Sequence, residues 1–247
     1  MKGLIVAVQF LTRLPTPRLT VSKAEFAASI RWFPAVGLMI GAALLGVATL
    51  TASLGPWVSA LAVLVTWVAI TGALHLDGLG DIADASGAAH QSKDKLLSVL
   101  ADPHIGSFGT VAIALQILSK FILIHALLSA QAGPYLLVIP MVTRIGPLVW
   151  ALFLPSLHAG LGDMFRPYVR PWLLLIWSTI FVTTAIFFPA LLAAPIFFAL
   201  WAGWIMRKIG GISGDGHGAG IEWGESVLLF AALLTATITP ALGTIPL

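Results

Sequence analysis

Long apolar stretches separated by short polar segments form the basic pattern of this chain. No Asp, Glu, Lys or Arg occurs from Trp32 to Leu76, from Pro171 to Met206, or after Glu225. A helix needs about 20 apolar residues to cross a membrane, so each stretch is long enough for one or two crossings. The pattern therefore predicts an all-α fold, a polytopic bundle of transmembrane helices.

Breaks in the apolar pattern divide the chain into about seven predicted spans. Before them, residues 1–18 are predicted to form a short interfacial helix that ends at its prolines, because the apolar run is brief and basic groups flank it. The spans are expected at about residues 33–53, from the break at 54–56 to near 75, at 105–128, at 135–154, twice within 172–206 with a hinge near Pro189, and at 227–242. We expect residues 1–247 to form a single integral-membrane domain.

Seven crossings place all the charged loops on one side of the membrane. This side carries the basic amino terminus, both acidic segments described below and the loops with Lys93, Lys95, Arg166, Arg170, Arg207 and Lys208, whereas the opposite loops carry no charge. The positive-inside rule makes the charged side cytoplasmic. The prediction requires residues 172–206 to cross twice. Lys120 and Arg144 alone lie inside predicted spans, and each is expected to face the bundle interior or to extend to an interface.

Composition supports the membrane interpretation and narrows the chemistry. The chain is 59% hydrophobic and 9% charged, which is typical of a protein whose partner is the lipid bilayer. It contains no cysteine, so any metal must be held by oxygen or imidazole. The net charge is +3, but no dense basic stripe with interleaved aromatic residues is present, and we expect no nucleic-acid partner.

Six of the ten acidic residues fall into two short clusters, of which the first is Asp77, Asp81 and Asp84. Their spacing of i, i+4 and i+7 places the three carboxylates on one face of a helix. Three such charges repel one another unless a cation compensates them, and hard divalent ions are the usual partners. The spacing favours a magnesium site over the alternative, a helix end that only reaches water.

The second cluster, Asp215, Glu222 and Glu225, lies in a glycine-rich segment and again shares one helical side. Glycines such as Gly214 let the backbone approach a ligand and offer amides to phosphate oxygens where a helix begins. The alternative is close helix packing through small residues, which explains the glycines but not the acids.

Several polar residues beside the two clusters are further candidates. Asp102 and His104, near the start of the third span, could be ligands or proton acceptors, but Asp102 could equally cap a helix with Pro103 in its first turn. His75 and His217 adjoin the clusters and are candidate bases.

Five motifs in this order resemble those of the cobalamin synthase family, the adenosylcobinamide-GDP ribazoletransferases. They are FLTRLPTP (10–17), RWFPAVG (31–37), HLDGLGDIADA (75–85), ADPHIGSFG (101–109) and GDGHGAGIEWGE (214–225). The resemblance implies a catalytic domain in the bacterial cytoplasmic membrane with its active site on the cytoplasmic face. It also implies the reaction: an oxygen of α-ribazole, or of its 5′-phosphate, attacks the cobinamide-linked phosphorus of adenosylcobinamide-GDP and expels GMP.

The family resemblance and the spacing together suggest roles for the candidate residues. Magnesium is expected on Asp77, Asp81, Asp84 and Asp215, with Glu222 and Glu225 completing or orienting that shell. The expected catalytic residues are Asp81, Asp84, His75 and Glu225, and the expected substrate contacts are Asp102, His104, Gly214 and His217. The base stays open among His75, Asp102 and Glu225. A homo-oligomer or an association with other cobalamin-assembly enzymes is also left open.

Three other functions fit parts of the pattern. A prenyltransferase also binds magnesium diphosphate through aspartates but ionises an allylic chain. A CDP-alcohol phosphotransferase is closer in mechanism, but its longer aspartate and arginine signature is absent from this sequence. An ion-coupled transporter would place its carboxylates near the bilayer midplane between related repeats, whereas these acids are predicted at span ends.

Overall fold

Helices make up most of the structure, a computed structural model that describes residues 2–88 and 92–242. The helices are α1 (Lys2–Leu11), α2 (Lys23–Ala27), α3 (Phe33–Leu50), α4 (Pro56–Thr71), α5 (Leu74–Ala88), α6 (Lys93–Leu100), α7 (Ser107–Ser129), α8 (Tyr135–Thr143), α9 (Gly146–Phe153), α10 (Leu161–Phe165), α11 (Pro171–Phe187), α12 (Ala193–Lys208) and α13 (Gly214–Leu242). Within these ranges the only β pairing is an isolated bridge between Ser156 and Ile212. The predicted all-α class is confirmed.

Five helical segments in the described ranges are long and apolar enough to cross a membrane. They are Lys23–Leu50, Ser107–Ser129, Tyr135–Phe153, Pro189–Lys208 and Gly214–Ile238. Two further pairs pass the same criterion but bend sharply, Pro56–Thr71 with Leu74–Gly87 by 83° and Gly162–Tyr168 with Pro171–Phe187 by 91°. Five to seven spans result, and the upper number equals the prediction.

The region between residues 171 and 208 contains two helices, as the sequence predicted. α11 and α12 are joined by the 3-10 turn Pro189–Leu192, at the predicted hinge. The amino-terminal helix α1 is also present and has ten residues, too few to cross a bilayer. Its Lys2 Nζ lies 2.6 Å from Glu25 Oε1, which ties α1 to α2.

Two predicted boundaries were wrong, and both concern the acidic clusters. The second span does not continue to His75: α4 ends at Thr71, and the chain turns through Gly72 and Ala73, which have φ angles of +59° and +58°. His75 therefore lies in the first turn of α5. The last helix begins at Gly214, far ahead of the predicted Val227, because the glycine-rich segment is itself helical.

Close helix crossings through glycine bring the two acidic clusters together. α5 packs against both α7 and α13. A Cβ on Gly78 of α5 would lie 3.0 Å from backbone atoms of Asp215, and a Cβ on Gly218 of α13 would lie 3.4 Å from the Cα of His75. Small-residue packing thus accounts for part of the glycine content, as the alternative interpretation held.

Candidate functional site

Four aspartates from the two clusters form one group, here called the aspartate cluster: Asp77, Asp81 and Asp84 on α5, and Asp215 in the first turn of α13. Asp81 lies within electrostatic range of the other three, and Asp215 within range of Asp77. Asp77 is exposed, and the other three are half-buried. The structure therefore brings the predicted aspartates of both motifs to one place.

No Lys or Arg in the described part of the chain pairs with the aspartate cluster. None of its four carboxylates forms a salt bridge with a Lys or Arg of residues 2–88 or 92–242. Carboxylate oxygens that no Lys or Arg neutralises are a hard donor set that suits magnesium. In the same ranges, however, no three acidic or histidine side chains converge closely enough to hold an ion as they stand. These side chains would have to rotate to bind an ion together. Their role as magnesium ligands therefore stays a prediction.

Asp84 has a structural contact that the sequence did not reveal. Its Oδ2 accepts a hydrogen bond of 2.7 Å from the Gly106 backbone N–H, and its Oδ1 accepts one of 2.9 Å from the Gly109 N–H. Gly106 is the N-cap residue of α7 and Gly109 lies in its first turn, so Asp84 caps that helix from a neighbouring helix. A Cβ on either glycine would overlap the carboxylate. In the sequence, only the spacing of the two glycines in ADPHIGSFG indicated that another group approaches the start of this helix.

Glu222 and Glu225 lie in a second group, here called the ion-pair network, with Lys120 of α7 and Arg144, which follows α8. Lys120 Nζ lies 2.7 Å from Glu222 Oε2 and 2.5 Å from Glu225 Oε2, and Arg144 Nη1 lies 2.9 Å from Glu225 Oε1. All four residues are buried. Lys120 and Arg144 therefore face the bundle interior, one of the two predicted outcomes.

These contacts do not support the prediction that the glutamates complete a magnesium shell. Both oxygens of Glu225 are bound by cations, which also argues against Glu225 as the base. Glu222 receives a further hydrogen bond of 3.0 Å from Gln116 Nε2. Two cations and two anions give the ion-pair network no net charge, as a buried group requires.

A cavity of about 100 Å³ lies beside the aspartate cluster. Its polar wall contains Asp77, Asp215, His75, His217 and Gly214, and its apolar wall includes Phe10, Phe33 and Phe165. Both histidines are buried, and among the described residues neither ring nitrogen of His217 has a hydrogen-bond partner. The site thus combines carboxylates, imidazoles and an aromatic surface around one small space.

Asp102 and His104 lie in an exposed loop before α7. The N-cap of α7 is Gly106, so the alternative that Asp102 caps this helix was wrong. Asp102 Oδ1 instead accepts hydrogen bonds from the His104 backbone N–H at 3.0 Å and from His104 Nδ1 at 2.7 Å. These bonds lower the pKa of Asp102 from its usual value. Contact with substrate remains a prediction for both residues.

Comparisons with known proteins agree on one family. The family model described as cobalamin-5-phosphate synthase matches residues 3–233. The chain is 53% identical over 240 residues to the adenosylcobinamide-GDP ribazoletransferase of Novosphingobium aromaticivorans, covering 95% of this chain and 97% of the relative. Proteins of the same name from Thiobacillus denitrificans and Laribacter hongkongensis are 46% and 44% identical, over 98% and 96% of this chain and 97% and 99% of theirs. No solved structure matches the chain.

Proposed function

The chain belongs to the cobalamin-5-phosphate synthase family, and on this premise we propose that it is an adenosylcobinamide-GDP ribazoletransferase. The observation that supports this most strongly is the aspartate cluster, in which two motifs far apart in sequence meet beside a cavity. A reaction at a diphosphate is promoted by divalent ions that neutralise the charge on the phosphate oxygens, and clustered carboxylates can hold such ions.

The proposed reaction exchanges one phosphorus–oxygen bond for another. An oxygen of α-ribazole, or of its 5′-phosphate, bonds to the cobinamide-linked phosphorus, and the bond from that phosphorus to the GMP oxygen breaks. GMP leaves with the bonding electron pair, and the hydroxyl proton of the nucleophile passes to solvent or to an acceptor in the site. The products are GMP and adenosylcobalamin or its 5′-phosphate.

Within this proposal the residues have separate tasks. Magnesium held by Asp77, Asp81, Asp84 and Asp215 would supply charge neutralisation at the diphosphate. Gly214 begins α13 at the cavity and offers the amino-terminal end of a long helix to phosphate oxygens. Because Glu222 and Glu225 are bound by Lys120 and Arg144, their proposed task is to hold α13 in place. Asp102 and His104 are proposed to contact substrate from the loop before α7.

The proposed location is the cytoplasmic face of a bacterial cytoplasmic membrane. The charged loops identified in the sequence support that orientation. The exposed carboxylate of Asp77 is where substrates from the aqueous side would reach the site.

The direct test supplies the purified, detergent-solubilised protein with adenosylcobinamide-GDP, α-ribazole and magnesium, and in a parallel reaction with α-ribazole 5′-phosphate. We expect GMP and the joined corrinoid in equal amounts, with loss of turnover on chelation and recovery on adding magnesium. Asp81→Asn should remove turnover, whereas Asp94→Asn, an exposed acid on α6, should not. Folded wild-type protein that forms no product from either nucleophile would refute the proposal.

A further inference from the structure

The ring nitrogens of His75 have different surroundings, and this difference fixes where the proton lies. Its Nδ1 is 3.5 Å from Arg144 Nη2. A guanidinium group has only N–H donors, so Nδ1 must supply the lone pair in this contact. In a neutral imidazole the hydrogen then lies on Nε2. The contact with Arg144 therefore selects one tautomer of His75.

Arg144 is held firmly enough to impose this choice. It is fully buried, and its Nη1 donates to Glu225 Oε1 and to the Pro140 carbonyl oxygen, both at 2.9 Å. Glu225 is in turn bound by Lys120. Because the guanidinium is planar and rigid, these bonds to Nη1 also set the direction of Nη2.

The other nitrogen of His75 has no hydrogen-bond partner in the part of the chain that the structure describes. Nε2 is buried and makes no hydrogen bond within residues 2–88 and 92–242, although His75 is only 3% exposed. His75 also lines the cavity that contains Asp77 and Asp215. A buried N–H without an acceptor is unfavourable, and a ligand oxygen bound in this cavity would remove that penalty.

We propose that His75 donates a hydrogen bond from Nε2 to a phosphoryl oxygen of the substrate, and that Arg144 is the positioning residue that keeps its hydrogen on Nε2. This inference rests on the proposed function for the identity of the ligand. It also removes His75 from the candidate bases, because its one lone pair already faces Arg144. His75 would stabilise charge that develops on the phosphoryl group, as preorganised donors do in other active sites.

Two substitutions of His75 distinguish a hydrogen-bond donor from a general base. The side-chain amide of Gln can place an N–H near the position of Nε2 but cannot accept a proton as a base does. We expect His75→Leu to lower kcat by about 10²–10³-fold and His75→Gln to stay within about 10-fold of wild type. His125→Leu and His125→Gln, on α7 against Trp57, are the controls and should both retain wild-type kcat. Equal losses in both His75 variants, or no loss in either, would overturn the donor assignment.

A spectroscopic measurement tests the tautomer without turnover. Nitrogen-15 NMR of ring-labelled histidine in the full-length protein, assigned by comparison with His75→Gln, should show hydrogen on Nε2 of His75. The double variant Arg144→Met, Glu225→Gln removes one cation and one anion together, which preserves charge balance, and should let hydrogen appear on Nδ1. Hydrogen on Nδ1 in the wild type, or an unchanged tautomer in the double variant, would contradict the role of Arg144. These outcomes stand whether or not the protein transfers ribazole.

Discussion

The aspartate cluster and the ion-pair network both include carboxylates of α13, but the protein compensates these charges differently in the two groups. In the ion-pair network, Glu222 and Glu225 are buried against Lys120 and Arg144 at distances of 2.5 to 2.9 Å. In the aspartate cluster no such cation is present among the described residues, and like charges lie within range of one another. Carboxylates that the protein itself neutralises are structural, whereas those it leaves unneutralised are available to a ligand.

The largest expected effect comes from removing one of the anions that balance the buried cations of the ion-pair network. Glu225→Gln leaves the buried Lys120 paired with Glu222 and leaves Arg144 without an ion-pair partner among the described residues. We therefore expect the free energy of unfolding to fall by about 3–5 kcal/mol. Denaturant unfolding in detergent measures it. The double variant Arg144→Met, Glu225→Gln restores charge balance and should recover part of the loss. If the single and double variants were equally stable, the ion-pair network would not be the stabilising group we describe.

The second-largest expected effect is a loss of turnover in Asp77→Asn without a loss of stability. Asp77→Asn removes one charge from a group of like charges, so the free energy of unfolding should stay the same or rise slightly. Turnover at limiting magnesium should fall by about 10–100-fold and recover in part at high magnesium. Titrating activity against magnesium for wild type, Asp77→Asn and Asp94→Asn tests this. A destabilised Asp77→Asn with normal magnesium dependence would place Asp77 with the structural carboxylates.

Asp84 is both a member of the aspartate cluster and a structural carboxylate, because it also caps α7. Its carboxylate accepts two amide hydrogen bonds from the amino-terminal end of α7, so Asp84→Ala should lower the free energy of unfolding by about 1–2 kcal/mol. Asp77→Ala, which removes a carboxylate without such bonds, is the matched control for thermal unfolding. Equal unfolding temperatures in the two variants would mean that the cap contributes nothing to stability.

The smallest expected effect concerns Asp102, outside both groups. Its pKa is lowered by hydrogen bonds from His104, so its ionised form stabilises the fold at pH values above the unfolded pKa of about 3.9. That contribution is lost as the pH falls through the lower pKa of the folded state. Wild type should therefore exceed Asp102→Asn slightly in unfolding temperature at pH 6, with the gap closing near pH 3. If the difference in unfolding temperature between wild type and Asp102→Asn grew as the pH fell, the lowered pKa of Asp102 would be contradicted.

The sequence predicted the helices and the aspartate stripe, and it limited Lys120 and Arg144 to the bundle interior or an interface. It could not predict the partners of these cations, because Glu225 lies 105 residues from Lys120 and 81 from Arg144, and helical periodicity describes only the face of one helix. The turn at Gly72 and Ala73 was missed because apolar residues continue through it. Whether the aspartates hold magnesium depends on side-chain rotamers, which no spacing rule determines.

The glycine at position 78 affects the size of the ion that the two aspartate-bearing helices could hold between them. Its missing Cβ lets the α5 backbone approach that of Asp215, so the separation of the two aspartate-bearing helices is set by backbone contact. A methyl group there would lie 3.0 Å from Asp215 and would push the helices apart by a few tenths of an ångström. Oxygen–metal distances grow by a similar amount from about 2.0–2.1 Å for magnesium to about 2.3–2.6 Å for calcium. If the aspartates hold magnesium as proposed, Gly78→Ala should therefore shift their preference from the smaller cation towards the larger, which titrating activity with each ion would measure.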